Sequence, residues 1–466
     1  MSIVLIAALS LAISSCADQG NQNSNQAAGN ANANSSPVTM PPLPPGFPTP
    51  VINGNIPILV PVPSSVTTPE QARPFFDYFS WETFIALNWP AQSGNRGQPN
   101  QPTTPSVFLK AGNGYSSVWE TYRNALDLFE SGNQRPPEWN APGTSSLCPS
   151  APAGASVLEM FAKGSAVGDN IDESFSFPLI DQFKNYAVFE IRFNETQYNF
   201  IRGDDNNQST WLYLLKNLLN PIQMPASGPP NIEGATMLKA AWRVMTDSDD
   251  LNRYYVIDAQ VYDPQTKSCV QQKVGLVGFH IVRKLKDFPE WIWSTFEQVD
   301  NVQRGPGATP TTPISFNNGT NNPQTVNGYF NKPANKFPNL VSDQSQRVPV
   351  QVTRLNPIPT TPAGSSTVDI NKIYQQLLAG TVWQYYELVF TQWPSQPQSF
   401  KLIENGGIYP QDSGSAFPVN GVTNTTMETY FQSQSDAAGA GGNSCMSCHY
   451  RADSTDFSWA VKRRAH

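Results

Sequence analysis

An α+β fold, with a mostly antiparallel sheet, peripheral helices and long loops, is what this sequence predicts, on three observations. Five runs rich in β-branched and aromatic residues occur with few helical stretches between them, and strands lacking crossover helices pair antiparallel. A smaller set of segments carries apolar residues at helical spacing. Proline is abundant, at 42 of 466 residues, while only 14% of residues are charged, a composition that favours a loop-rich exported globule over a helical bundle. With 39% hydrophobic residues the chain can bury a sizeable core. It shows no internal repeats.

The elements follow in chain order. MSIVLIAALSLAISSC is an apolar run ending in small residues, and Ile13-Ser14-Ser15-Cys16 resembles the cleavage box of a bacterial lipoprotein signal. This predicts a signal peptide over 1–15 and acylation of Cys16, the alternative being an ordinary secretory signal with a chance cysteine. Residues 16–66 are Asn/Gln/Ala/Ser-rich and then Pro-rich, a composition that cannot bury a core and reads as a disordered tether spanning roughly 40 Å. Thr68-Pro69-Glu70-Gln71 opens the folded part, expected over 67–466, with an N-cap threonine and a proline at the first helical position. Helices are predicted over 69–89, 117–132 (stopped by Gly132), 211–219 and 369–380 (ended by Gly380). Strands are predicted over 185–194, 253–262, 273–285, 290–299 and 382–393. Residues 301–325 read as a long loop packed over the sheet.

Charge and hydropathy exclude two classes of partner. A net charge of −7 argues against nucleic acid, which demands clustered Lys and Arg. No apolar run after the N-terminus is long enough to span a bilayer, so the expected membrane contact is the lipid on Cys16.

Near the C-terminus stands SCMSCH. Cys445 and Cys448 flank two residues and His449 follows at once, the C-x-x-C-H signature for attachment of c-type haem. The spacing sets both thiols on one helical turn for addition across the haem vinyl groups, and the adjacent histidine is the proximal iron ligand. A zinc site needs a second ligand pair, which only Cys148 and Cys269 could supply, at the wrong spacing. A thioredoxin-like motif would follow a strand in a βαβ unit, and none surrounds Cys445. With five cysteines and three histidines, chance places the full motif in roughly 3 of 10,000 such chains. One covalent haem is therefore expected, on a C-terminal haem-binding segment.

Cysteine arithmetic then closes. Cys16 goes to lipid, Cys445 and Cys448 to haem, and Cys148 and Cys269 remain for one disulfide, with two unrelated buried thiols as the alternative. Such a bridge closes a loop of about 120 residues, worth about 4–5 kcal/mol on the chain-entropy model.

The segments SWETFIALNWPA, VWETYRNA, LKAAWRVM, VGLVGFHIVRK, EWIWSTFEQVDNV, NTTMETYFQ and SCMSCH together resemble a family of exported, single-haem cytochrome c proteins of bacteria. The resemblance runs from about Phe75 to Trp459. It implies one integrated haem domain and imports no substrate. Small class I cytochromes open on the haem motif and place a distal methionine downstream, whereas no methionine follows His449 here. Class II cytochromes are short four-helix bundles, and dihaem peroxidases need a second motif.

The sixth iron ligand must accordingly come from earlier in the chain. His280, in VGLVGFHIVRK, is the expected distal ligand, since His449 is taken and His466 is terminal; Met427 is the rival and an open iron the third possibility. Gly278 is expected to leave room for a flat ring, and Trp291 and Trp293 to wall it. The function predicted is electron transfer by a lipid-anchored cytochrome on the periplasmic side of a bacterial membrane or at the cell surface, exchanging electrons with a redox protein or a small molecule. A haem enzyme or gas or redox sensor with an open iron site is the alternative, for which Glu82, Glu120 and Glu297 are the acid–base candidates. A binding module with a structural haem and aromatic-lined loops is a third class.

Overall fold

A computed structural model of the chain describes residues 43, 46–108, 115–129, 135–159, 178–203, 222–302, 314–318, 343–396, 416–429, 432, 444–449, 452 and 455–464, apart from 144, 146, 229, 230, 264, 265 and 420. Cys16, the signal peptide, the helix expected over 211–219 and most of the loop expected over 301–325 lie outside the described residues.

The fold is α+β, built on a nine-stranded, mostly antiparallel sheet. The strands are β1 (Arg123–Asn124), β2 (Val157–Glu159), β3 (Val188–Phe193), β4 (Thr236–Val244), β5 (Val256–Asp263), β6 (Ser268–Leu285), β7 (Phe288–Gln298), β8 (Tyr386–Pro394) and β9 (Ala416–Phe417). Strands β3, β2, β5, β6 and β4 pair around a closed circuit, and only β2 with β5 is parallel. From β6 the sheet continues through β7 and β8 to β9, while β1 borders β3. Among the described residues the helices are α1 (Pro69–Leu87), α2 (Pro105–Phe108), α3 (Ala125–Phe129), α4 (Glu195–Arg202), α5 (Thr367–Leu377), α6 (Cys445–His449) and α7 (Trp459–Arg464). Among the described residues no helix is long and apolar enough to cross a membrane.

Helix α1 starts where the sequence places it. The Thr68 side chain accepts from the Gln71 N–H at 3.3 Å and Pro69 follows. Its residues are buried on nearly every side because it lies between the sheet and α5. Ser80 bonds Ser294 of β7 and Thr391 of β8, both at 2.7 Å, and Trp81 stacks on Tyr374 of α5 at 5.1 Å. Phe84 stacks on Phe296 at 4.3 Å, so one face of β7 belongs to α1.

Two sequence expectations need correction. Residues 46–66, assigned to the tether, lie along the core: Phe47 meets Tyr78 edge-on at 5.2 Å, the Val51 N–H donates to Glu82 at 3.1 Å, and Ile58 accepts from Ser227. The compact unit that holds all described residues begins at Pro41. Prolines stiffen this segment, and its valines and isoleucines give it apolar surface to bury. The helix expected over 117–132 is instead a turn at Trp119–Thr121, strand β1 and the short α3. Pairing of Arg123 and Asn124 with β3 overrides the helical period, and the Arg123 guanidinium is consumed by the Trp139 and Ala141 carbonyls at 3.0 and 2.6 Å. The polar positions of β3 are also buried: Arg192 bonds Glu190 at 2.6 Å, and Trp242 donates to Glu190 at 3.0 Å. Strand β4 was not expected at all, because Ala240 and Ala241 at its centre favour helix.

Cys148 and Cys269 are joined by a disulfide that ties the chain before β2 to the start of β6, with 5.8 Å between their Cα atoms.

Burial raises Glu82 from the ordinary carboxyl range to about 7, against opposing hydrogen bonds from Tyr374 (2.8 Å) and Val51. Because the folded value exceeds the unfolded one, the associated stability is full below about pH 4.5 and is lost as pH rises through about 7. Glu82→Gln is therefore expected to match the parent near pH 4 and to exceed its unfolding free energy by about 3 kcal/mol at pH 8. Urea titrations at the two pH values check this, and an equal offset at both would refute it.

Candidate functional site

The C-terminal segment covers the face of the sheet that α1 does not. On that face, His280 and Val282 of β6 stand beside Lys239 and Met237 of β4 on one side and Thr295 and Trp293 of β7 on the other. This register brings the expected distal histidine and one of the two expected tryptophans onto one surface.

Helix α6 carries the C-x-x-C-H residues. Ser444 opens it, its hydroxyl accepting from the Ser447 N–H at 3.1 Å. Between the two cysteines, Met446 is fully buried and its N–H donates to Gln392 of β8 at 2.8 Å, which seats the turn on the sheet. Cys445, Cys448 and His449 remain partly exposed, and neither cysteine is disulfide-bonded. Burial drives the Cys445 thiol well above its ordinary range, and the charge of Glu428 adds to the effect.

His449 is held from two directions. Its Nδ1 is 2.6 Å from the Phe457 carbonyl, a geometry that requires Nδ1 to carry a proton and donate it to that oxygen. Its ring lies against Trp293, with centroids 4.5 Å apart. Trp459 of α7 donates to the Cys448 carbonyl at 3.3 Å.

His280 meets the same segment. Its Nε2 is 3.0 Å from Glu428 Oε1, and Glu428 Oε2 accepts from the Asn424 N–H at 2.8 Å. Burial opposes ionisation of Glu428, but the facing His280 and Lys239 charges outweigh it and hold the carboxyl down at about 2. Met427 is fully buried next to this pair, in a turn. The space beside Gly278 is also taken: a Cβ there would lie 2.1 Å from Thr426 Oγ1 and 3.2 Å from the Met427 methyl. The glycine admits the loop 424–427 to the strand, not a flat ring as the sequence led us to expect. Trp291 points its indole N–H at Asp456 (3.2 Å), whereas Trp293 lies on His449.

The three acid–base candidates are engaged inside the fold. Glu82 is bonded as described above. Glu120 accepts from the Ser117 N–H and hydroxyl at 2.7 and 2.9 Å and from the Tyr255 hydroxyl, and burial raises its pKa. Glu297 is fully buried and bridged by Arg354 at 2.8 and 3.3 Å.

Sequence reasoning missed Glu428, Lys239, Gln392 and the Phe457 carbonyl. Glu428 adjoins Met427 in the sequence, but only the fold shows that it faces His280.

The donor set fits a c-type haem: two unbridged thiols on one turn and an adjacent imidazole whose Nδ1 is already occupied. Among the described residues no group of three or more His, Cys, Asp or Glu side chains is arranged to hold a bare metal ion. Comparison with protein families, with curated proteins and with solved structures finds no match for this chain.

Proposed function

We propose that this protein is a c-type cytochrome carrying one haem on Cys445 and Cys448, with His449 as proximal ligand, and that it transfers electrons while tethered to a membrane by acylated Cys16. The bond from His449 Nδ1 to the Phe457 carbonyl, next to two unbridged thiols at the attachment spacing, is the observation that carries this reading. Haem bound there supplies reversible one-electron chemistry. The residues do the rest: the buried Met446 anchors the attachment turn, and Trp293 and Phe457 fix the imidazole. Localisation on the outer side of a bacterial membrane, with a redox protein or small molecule as partner, belongs to the same proposal.

His280 is the proposed sixth ligand and Met427 its rival. A second reading has its own support. Glu428 engages Nε2 of His280, and if that bond persists the pair is an acid–base group beside an open iron, as a haem enzyme or gas sensor requires. Visible spectra of the purified exported protein decide. A low-spin spectrum in both redox states, lost in His280→Ala, is the expected result. A methionine-to-iron charge-transfer band that survives His280→Ala and vanishes in Met427→Leu would assign the ligand to Met427. High-spin iron that takes up carbon monoxide would favour the second reading.

A further inference from the structure

The proximal side contains a buried ion pair that the haem reading does not use. Lys284 of β6 bonds Asp456, and both side chains are within a few per cent of complete burial. The same carboxylate accepts from the Met224 N–H at 2.7 Å and, through its other oxygen, from the Trp291 indole at 3.2 Å. Three separate elements thus converge on one residue of the segment between α6 and α7.

That residue adjoins Phe457, whose carbonyl receives His449. Asp456 and Phe457 have φ of +52° and +66°, and Trp291 has +69°. Six non-glycine residues among those described adopt positive φ, and half of them meet at this clamp. Side chains rarely take this conformation, and it persists where surrounding contacts over-determine it. The turn is closed again by Phe457 N–H to the Ala452 carbonyl (2.9 Å) and by Thr455 to the carbonyls of Ala452 (3.0 Å) and Ser458 (2.8 Å).

We infer that the Lys284–Asp456 pair is a positioning device for His449, holding the Phe457 carbonyl against Nδ1 and so setting the donor strength of the proximal nitrogen. The inference rests on the haem reading above. A firm hydrogen bond from Nδ1 to a carbonyl raises electron density at Nε2, which favours the oxidised iron and lowers the midpoint potential. Loosening the clamp weakens that bond and raises the potential. Asp456 and Lys284 are positioning residues; neither is placed on the haem.

The test separates positioning from charge. Removing a negative charge raises a nearby midpoint potential and removing a positive charge lowers it. Asp456→Asn is thus expected to rise on either account, and Lys284→Met is decisive. Potentiometric titration of the exported, haem-loaded protein should show Lys284→Met shifted upward, in the same direction as Asp456→Asn. A downward shift would reduce the pair to an electrostatic neighbour, and no shift would make it purely structural; either overturns the inference. Should Lys284→Met fail to accumulate, Trp291→Phe removes one donor to Asp456 without changing charge. It should raise the potential by a smaller amount, and an unchanged potential would overturn the inference. A wild-type protein without covalent haem would remove the premise and the inference together, whereas normal haem with unmoved potentials overturns the inference alone.

Discussion

Replacing Cys445 and Cys448 together by alanine is expected to abolish covalent haem in the exported protein, and His449→Ala to prevent stable holo-protein from accumulating. Each single cysteine variant should retain at most one thioether, with the altered haem bands of a single link under alkaline pyridine. The expectation follows from the geometry of α6. Met446 is locked in the core and bonded to Gln392, so the turn cannot rotate to present other groups in place of the thiols. The only described imidazole on that turn is His449, whose Nδ1 is committed to Phe457. Intact mass after denaturation measures the result directly: wild type heavier than its polypeptide by one haem, the double variant not. Undiminished covalent haem in the double variant would remove the proposed function, because among the described residues no other cysteine lies outside a disulfide.

How much of this was legible in the sequence depends on the distance over which each feature is encoded. The attachment motif is local, and so are the caps of α1 and α5, where Ser366 and Asp369 bond each other's backbone N–H. Strands β3, β5, β6, β7 and β8 show in β-branched and aromatic runs, and the α+β class follows from their order. What failed was non-local. Ala240 and Ala241 disguise β4, whose place is fixed by β3 and β6 on either side. Trp119 and Arg123 sit in a helical pattern that pairing with β3 and the loop carbonyls override. Gly278 was correctly singled out as a place of close approach, but the approaching group is Thr426, 148 positions away along the chain. The Glu428–His280 contact has the same 148-residue separation and leaves no local signal. The site's two faces are thus written in the chain as separate fragments, and only the sheet register joins them.

Arg354→Ala is expected to produce the largest loss of stability among variants outside the attachment motif. Glu297 is fully buried, and Arg354 bridges it with two bonds while lying 3.6 Å from Glu387. Removing the guanidinium leaves one buried carboxylate facing another with no cation between them. Breaking a buried pair in this way costs about 3–5 kcal/mol, more than the pair itself is worth over an apolar replacement. Adding Glu297→Gln to Arg354→Ala should recover most of the loss, since the stranded charge is gone. The effect also reaches the site. Glu297 Oε1 accepts from the Thr425 N–H at 2.7 Å, and the Thr425 hydroxyl bonds the other oxygen. Thr425 starts the turn that carries Met427 and Glu428 to His280 and Gly278. Arg354→Ala should therefore perturb the haem spectrum under mildly destabilising conditions before global unfolding, with tryptophan fluorescence lagging behind. A loss below about 1 kcal/mol, the range of an exposed ion pair, together with coincident haem and fluorescence transitions, would show that this pair neither supports the core nor anchors the turn.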